Sequence, residues 1–370
     1  MTTTTGADER IKHTSILRRA LVRPELGAMG GTVAVFAFFL ILAGNTQMFA
    51  LDGVLNWGTV SAQFVVLAVG VSLLMITGEF DLSLGSMVGF SGMIFGLLAV
   101  YVGLPAWAAI GVTVLACGLI GAVNGLLVIR TGLPSFIVTL AFMFILRGLT
   151  IWSAITFNKQ PVVSGIADIS AGDPIAWLFG GKALGGLFVW LGEQGWIATY
   201  TRGTRLGRPI VDGIPMLMIW ALVMVIVGQW VLTRTRFGNW IYAAGGDPQA
   251  ARYIGVPVAR VKVAMFIVAA LCATLLGISQ AVEFGSAASD RGMMKEFEAI
   301  ICVVIGGALL TGGYGSVVGA ALGAVIFGVV QQGLFFTNVE SSLFRVFLGS
   351  ILLAAVIANT YIRRAITGER

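Results

Sequence analysis

Apolar runs that recur along the chain decide what it can fold into. Gly30 to Leu42, Met216 to Val231 and Leu343 to Ala358 approach or reach the roughly 20 residues that a helix needs to cross hydrocarbon. A soluble core does not repeat such runs so often, and polar residues to cover them are missing. Only 11% of the 370 residues are charged and 58% are hydrophobic, whereas a soluble domain carries about 25% charged residues. In lipid, a helix satisfies every backbone group within its own segment. The expectation is therefore an all-α integral membrane protein of about ten transmembrane helices, near 28–48, 57–77, 82–103, 105–129, 133–156, 213–233, 262–283, 297–310, 316–337 and 342–362.

The polar stretches give these spans a direction. The first 27 residues are polar and basic (Arg10, Lys12, Arg18, Arg19, Arg23), and no small-residue cleavage site follows the next apolar run. They read as a retained cytoplasmic tail, not a signal peptide. An even number of spans returns the C-terminal tail 363–370, with Arg363, Arg364 and Arg370, to the same side. Arg130 and the loop 234–262, with Arg234, Arg236, Arg252, Arg260 and Lys262, fall there too, as the positive-inside rule asks. The net charge of +6 is thus a topology signal, and no nucleic-acid partner is expected. The membrane domain runs over 28–362.

Residues 157–212 form the one long polar excursion, with Lys159, Asp168, Asp173, Lys182, Glu193, Arg202, Arg205 and Arg208. It is expected outside. Ile175 to Trp196 is apolar enough to suggest an eleventh span, but it contains Lys182, Glu193 and two glycines, and inserting it would put the 234–262 loop on the wrong side. An external subdomain lying partly in the interface, anchored by Trp177, Trp190 and Trp196, is preferred.

The chain has 50 glycines, and GxxxG spacing recurs among them at Gly85/Gly89, Gly92/Gly96, Gly121/Gly125, Gly315/Gly319 and Gly319/Gly323. Small residues let helix backbones approach where no hydrophobic force draws them together. The runs beginning at Gly85-Ser86 and Gly315-Ser316 look alike, through a shared packing chemistry or an internal repeat. Cys117, Cys272 and Cys302 sit in apolar stretches without CxxC spacing and read as packing residues.

Enzyme signatures fail. Gly181-Lys182 lacks the upstream glycine and following hydroxyl of a phosphate-binding loop. Gly89-Phe90-Ser91-Gly92 matches the surroundings of an intramembrane serine nucleophile, but the only histidine, His13, is in the N-terminal tail. No His, Cys and carboxylate set has metal-ligand spacing, so no catalytic residue and no metal is expected. What remains are polar groups where hydrocarbon disfavours them. Thr77-Gly78-Glu79-Phe80-Asp81-Leu82-Ser83 interrupts an apolar stretch and reads as a broken helix or re-entrant turn. Asp81 or Ser83 is placed either to cap the next helix or to meet a solute. Arg147, Glu283, Glu296 and Glu298 are expected near span ends, at the interface. Asn124, Thr139, Gln280, Gln331, Gln332 and Asn338 lie in or near apolar helices, where each can bridge two helices or meet a solute hydroxyl.

The stretch from Gly245 to Pro257 carries the signals of one short helix: Asp247 as N-cap, Pro248 at the first position, Gly255 as C-cap and Pro257 beyond. With small Ala250 and Ala251 beside Arg252, it suits a groove on a soluble partner, or is a plain cytoplasmic loop.

Several stretches together resemble the permease subunits of ribose-type ABC sugar importers: Thr77 to Ser86, Asn124 to Val128, Leu133 to Leu140 with Arg147-Gly148-Leu149, Phe237 to Lys262, and Glu298 to Gly315. They occur in the family's order over most of residues 65–355. The resemblance implies a ten-span permease paired with a second copy, cytoplasmic ATP-binding subunits beneath, and a periplasmic sugar-binding protein above. Asp247, Pro248, Ala250, Ala251, Arg252 and Gly255 would form the helix that sits on the ATPase. The chain itself would bind no cofactor, the ATP being used by the partner subunit, and a monosaccharide or polyol would be the solute. Glu79, Asp81, Ser83, Asn124, Thr139 and Glu298 are the candidates for the broken helix or the pathway. Two positions depart from the family: Glu79-Phe80 stands where it has a small Gly-Ile pair, and Glu298 where it has aspartate. Read from pattern without the resemblance, a proton-coupled carrier using Glu79, Asp81 and Glu283, or a facilitative channel, also stays open.

Overall fold

The computed structural model describes residues 24–200 and 207–337, with positions 343, 346, 349, 350, 353 and 357 beyond them. The N-terminal tail up to residue 23, Arg202, Arg205, Asn338 and the tail 363–370 lie outside the described residues, as does the tenth expected span apart from those single positions. In chain order the helices are α1 (Pro24–Ala43), α2 (Leu51–Ile76), α3 (Leu84–Val100), α4 (Ala106–Thr131) and α5 (Ser135–Ser153). The excursion that follows holds β1 (Val162–Ser164), α6 (Ile166–Ser170), α7 (Pro174–Gly180), β2 (Lys182–Ala183), α8 (Gly185–Glu193) and β3 (Ile214–Pro215). The chain then forms α9 (Met216–Arg234), α10 (Arg236–Gly246), α11 (Pro248–Tyr253), α12 (Val258–Glu283), β4 (Ser286–Ala288), α13 (Lys295–Ile305) and α14 (Val317–Phe336).

Among the described residues, seven helices are long and apolar enough to cross a membrane: α1, α2, α5 with the turn that extends it to Asn158, α4, α9, α12 and α14. Helix α3, 17 residues long, is shorter because the turn at 77–83 uses up part of the expected span. The fold is helical except for two short antiparallel ladders, β1 with β4 and β2 with β3. In sequence these strands are two or three residues long, too short to show an alternating pattern.

Helices α2 and α12 form the centre. α14, α9 and α12 pack on α2, while α3 and α4 pack on α12, α5 on α3 and α1 on α14. Glycine sets how close they come. A Cβ at Gly121 or Gly125 of α4 would stand 2.8 Å from the Phe266 carbonyl or 2.9 Å from the Val263 Cα of α12. At Gly323 of α14 it would stand 2.0 Å from the Cys302 carbonyl of α13. The two look-alike glycine runs differ in structure. Gly85-Ser86 lies inside α3, whereas Ser316 caps α14 by accepting from the Gly319 N–H at 2.9 Å. The outward faces are apolar, with Leu115 and Leu119 of α4, Phe144 of α5 and Ile226 and Trp230 of α9 exposed, as surfaces facing lipid should be. All three cysteines are free and buried.

The excursion contains helices of 5, 7 and 9 residues, none long enough to span. Asp173 caps α7 by accepting from the Ile175 and Ala176 N–H groups. α7 packs on the end of α12, and the Trp220 indole N–H donates to the Leu178 carbonyl at 2.7 Å. Trp177, Trp190 and Trp196 are exposed.

Candidate functional site

Polar chemistry concentrates at three places, and the first is the turn between α2 and α3. α2 ends at Ile76, whose carbonyl accepts from Gly313 N–H at 2.9 Å, and Gly78 then takes a left-handed conformation (φ 82°) that reverses the chain. Backbone amides left free by the break are met by side chains of neighbouring helices. Phe80 N–H donates to Ser135 Oγ and Leu82 N–H to Thr139 Oγ1, each at 3.0 Å. Asp81 Oδ1 accepts from the Ser83 N–H (2.8 Å) and the Ser83 hydroxyl (2.6 Å), and Asn124 Nδ2 donates to Ser83 Oγ at 3.1 Å. Ser83 itself, at the N-cap of α3, makes no side-chain cap bond. The structure thus gathers Asp81, Ser83, Asn124 and Thr139 around one break. Glu79 turns away from this network and pairs with Lys262 of α12 at 2.5 Å. The carboxylate that departs from the family pattern therefore has its countercharge in the same chain.

The second place was not visible in sequence. Between α12 and α13 the chain does not stay at the surface as a loop. After β4 pairs with β1 it runs back along α3 in a non-helical stretch, Ser289 to Met294. Glycines make the groove: a Cβ on Gly89 would stand 2.5 Å from the Arg291 carbonyl, and one on Gly85 would strike Glu296 Oε2 at 1.8 Å. Gly292 (φ 81°) and Met294 (φ 67°) are left-handed, and α13 starts at Lys295 but already ends at Ile305, an 11-residue helix where a span over 297–310 is expected. Arg147 and Glu296 meet here. Arg147, well inside α5, stands 4.0 Å from Glu296, whose side chain is 1% exposed. Lys295 pairs with Glu298 at 2.9 Å and lies 4.0 Å from the centre of the Phe64 ring, midway along α2. Arg291 donates to the Gln280 carbonyl (2.8 Å) and to Ser286 Oγ (3.1 Å), and Gln280 Nε2 donates to Gln63 Oε1 (3.1 Å). Charges at such depth need partners or water, and these have partners. Glu298 belongs to this group and not to the Asp81 network. The one signal that could have found the stretch is Arg-Gly-Met-Met-Lys-Glu at 291–296, three charges and a glycine directly before an apolar run.

The third place is α11. Asp247 accepts from the Gln249 and Ala250 N–H groups at 2.9 and 3.0 Å, Pro248 opens the helix, and Gly255 is left-handed (φ 87°). Ala251 does not face outward. It is 3% exposed and packed into the main core. Ala250 and Arg252 are exposed, but the largest exposed groups are Tyr253 (90%) and Ile254 (79%), which sequence reasoning passed over.

Apolar helices long enough to span, interrupted by breaks that carry buried polar side chains, define a multi-pass membrane protein. The chain belongs to the family described as branched-chain amino acid transport system / permease component, which it matches over residues 53–356. It is 31% identical over 356 residues to the xylose transport system permease protein XylH of Escherichia coli (strain K12), covering 90% of each chain. It is 30% identical over 346 residues to the ribose import permease protein RbsC of the same organism, covering 92% of this chain and 96% of the relative. The ribose import permease protein RbsC of Haemophilus influenzae is 29% identical over 319 residues, 86% of this chain and 88% of the relative.

Proposed function

We propose that this chain is the membrane-spanning permease subunit of an ATP-binding-cassette importer that moves a monosaccharide or related polyol across the bacterial inner membrane. The observation that carries the reading is likeness along nine-tenths of the chain to permeases named for xylose and ribose. In this reading about ten helices cross the bilayer with both ends in the cytoplasm, and two copies assemble side by side. Cytoplasmic ATP-binding subunits dock on α11, reading Tyr253, Ile254, Ala250 and Arg252, while the periplasmic sugar-binding protein meets the excursion at 157–212. Energy comes from ATP used by the partner; the sequence offers no phosphate-binding loop of its own.

The competing reading is a proton-coupled carrier, which would move its solute on a pH gradient without ATP. The test is uptake of xylose and ribose into proteoliposomes holding this chain with its ATPase and binding protein. Uptake that requires ATP and both partners is expected. Uptake by this chain alone, driven by a pH gradient, would replace the importer with a secondary carrier.

A further inference from the structure

We infer that a seam of polar side chains beside the unwound stretch, Gln63, Gln280, Arg291, Lys295 and Glu298 around the Phe64 ring, lines the passage through which a polyhydroxylated, uncharged solute crosses. The inference rests on the import reading and deepens it by naming the groups the solute meets.

Depth comes first. Phe64 lies midway along the spanning helix α2, and Lys295 Nζ is 4.0 Å from its ring centre. The adjacent Glu296 is held from α5 by Arg147, likewise well inside a span. The seam is therefore within the bilayer's thickness. Exposure comes second. The side chains of Lys295 and Glu298 are 19% and 16% exposed, and Met293, Met294 and Phe297 beside them are 54%, 51% and 41% exposed. An ammonium and a carboxylate that keep part of their surface exposed at that depth do not face acyl chains. They face water or protein. The contrast is the ion pair: the sides of the bundle formed by α4 and α9 expose Leu115, Leu119, Leu222 and Ile226.

Chemistry comes third. A sugar hydroxyl both donates and accepts, and the seam offers both: the amide N–H₂ of Gln63, further donors from Lys295 and Arg291, and the second carboxylate oxygen of Glu298, Gln63 Oε1 already accepting from Gln280. Lys295 and Glu298 neutralise each other at 2.9 Å, which suits an uncharged polar solute better than an ion. Broken helices that place polar groups at the midplane are a recurring way to build such a path, because irregular backbone is tolerated there only where it lines a cavity or is buried in protein.

The experiment replaces the buried Cys117, Cys272 and Cys302 with alanine and introduces Gln63→Cys or Phe297→Cys, one at a time, in the reconstituted complex. A charged methanethiosulfonate reagent reacts with thiolates, which need water to form. Leu115→Cys and Leu119→Cys, at lipid-facing positions 75% and 67% exposed, are the controls. Labelling at 63 and 297 at least about tenfold faster than at the controls is expected, and the attached group should block uptake of xylose and ribose. Phe297 makes no contact on which the break depends, so it carries the readout if Gln63→Cys folds poorly. Labelling no faster than at the controls, in a complex that takes up sugar on ATP, would overturn the seam and leave the import reading standing. Fast labelling in a complex that takes up neither sugar would count against the import reading and leave the seam water-lined.

Discussion

Truncating Tyr253 and Ile254 should disconnect the ATPase while leaving the permease folded. Tyr253 ends the short capped helix α11 and Ile254 is its C-cap, and both project from the body, 90% and 79% exposed. A soluble protein surface has little reason to hold an isoleucine so far out unless a partner covers it, and an exposed tyrosine beside it is the residue pair a docking site favours. If the partner buries Ile254 fully, Ile254→Ala removes three carbons at about 0.8 kcal/mol per CH₂, so about 2 kcal/mol, or about thirtyfold in Kd. Tyr253→Ala should cost at least as much, about 2 kcal/mol or more where the ring sits at the centre of the contact. The assay is titration of the purified ATPase against the detergent-solubilised permease by microscale thermophoresis, with size-exclusion elution as the check on folding. Ala251→Trp is the contrast: with Ala251 3% exposed against the core, it should lower folded yield before it touches docking. Wild-type affinity in the Tyr253→Ala/Ile254→Ala double variant would show that the ATPase sits elsewhere.

The remaining expectations concern the two breaks and the outer face. Asp81→Ala removes the acceptor for the Ser83 N–H and hydroxyl and should cost about 0.5–2 kcal/mol of local stability. Asp81→Asn, which keeps an acceptor oxygen, should be milder; thermal melting in detergent ranks the two, and selective loss of transport at full stability in both would point to solute contact instead. Arg147→Met leaves Glu296 buried without a countercharge and should destabilise by about 3–5 kcal/mol, whereas Arg147→Met with Glu296→Leu should recover most of it. Equal melting temperatures for single and double variants would mean the pair carries no such coupling. Asp168→Cys, exposed on the excursion, should react with an impermeant thiol reagent added from the periplasmic side; it is a better probe than Ser170, whose hydroxyl is buried. Labelling only after lysis would invert the topology.

Local patterns in the sequence determined much of this protein. Long apolar runs dictate helices, because a backbone in lipid must bond within its own segment. Asp247, Pro248 and Gly255 mark α11 because capping needs particular side chains and a left-handed residue at fixed offsets from the helix ends. Thr77 to Ser83 announces a break because two carboxylates and a glycine interrupt an apolar stretch. The choices that depend on neighbours distant in the chain belonged to tertiary structure. Glu79 looked like an added charge beside the pathway until Lys262, 183 residues away, came to pair with it. Asn124 and Thr139 were polar positions on apolar helices until the amides and hydroxyl of the break supplied their partners. Ala251 and Tyr253 look equally available in a list of residues, and only the packing of α11 against the core turns one inward and the other out. The unwound stretch before α13 is the deepest such case. No local pattern announces it, and it lies against α3 because Gly85 and Gly89 leave the room and Arg147 stands near Glu296, both from other helices. Hydrophobicity along a chain reports what a segment prefers by itself; where charges end up in a membrane is settled by the partners that the fold brings to them.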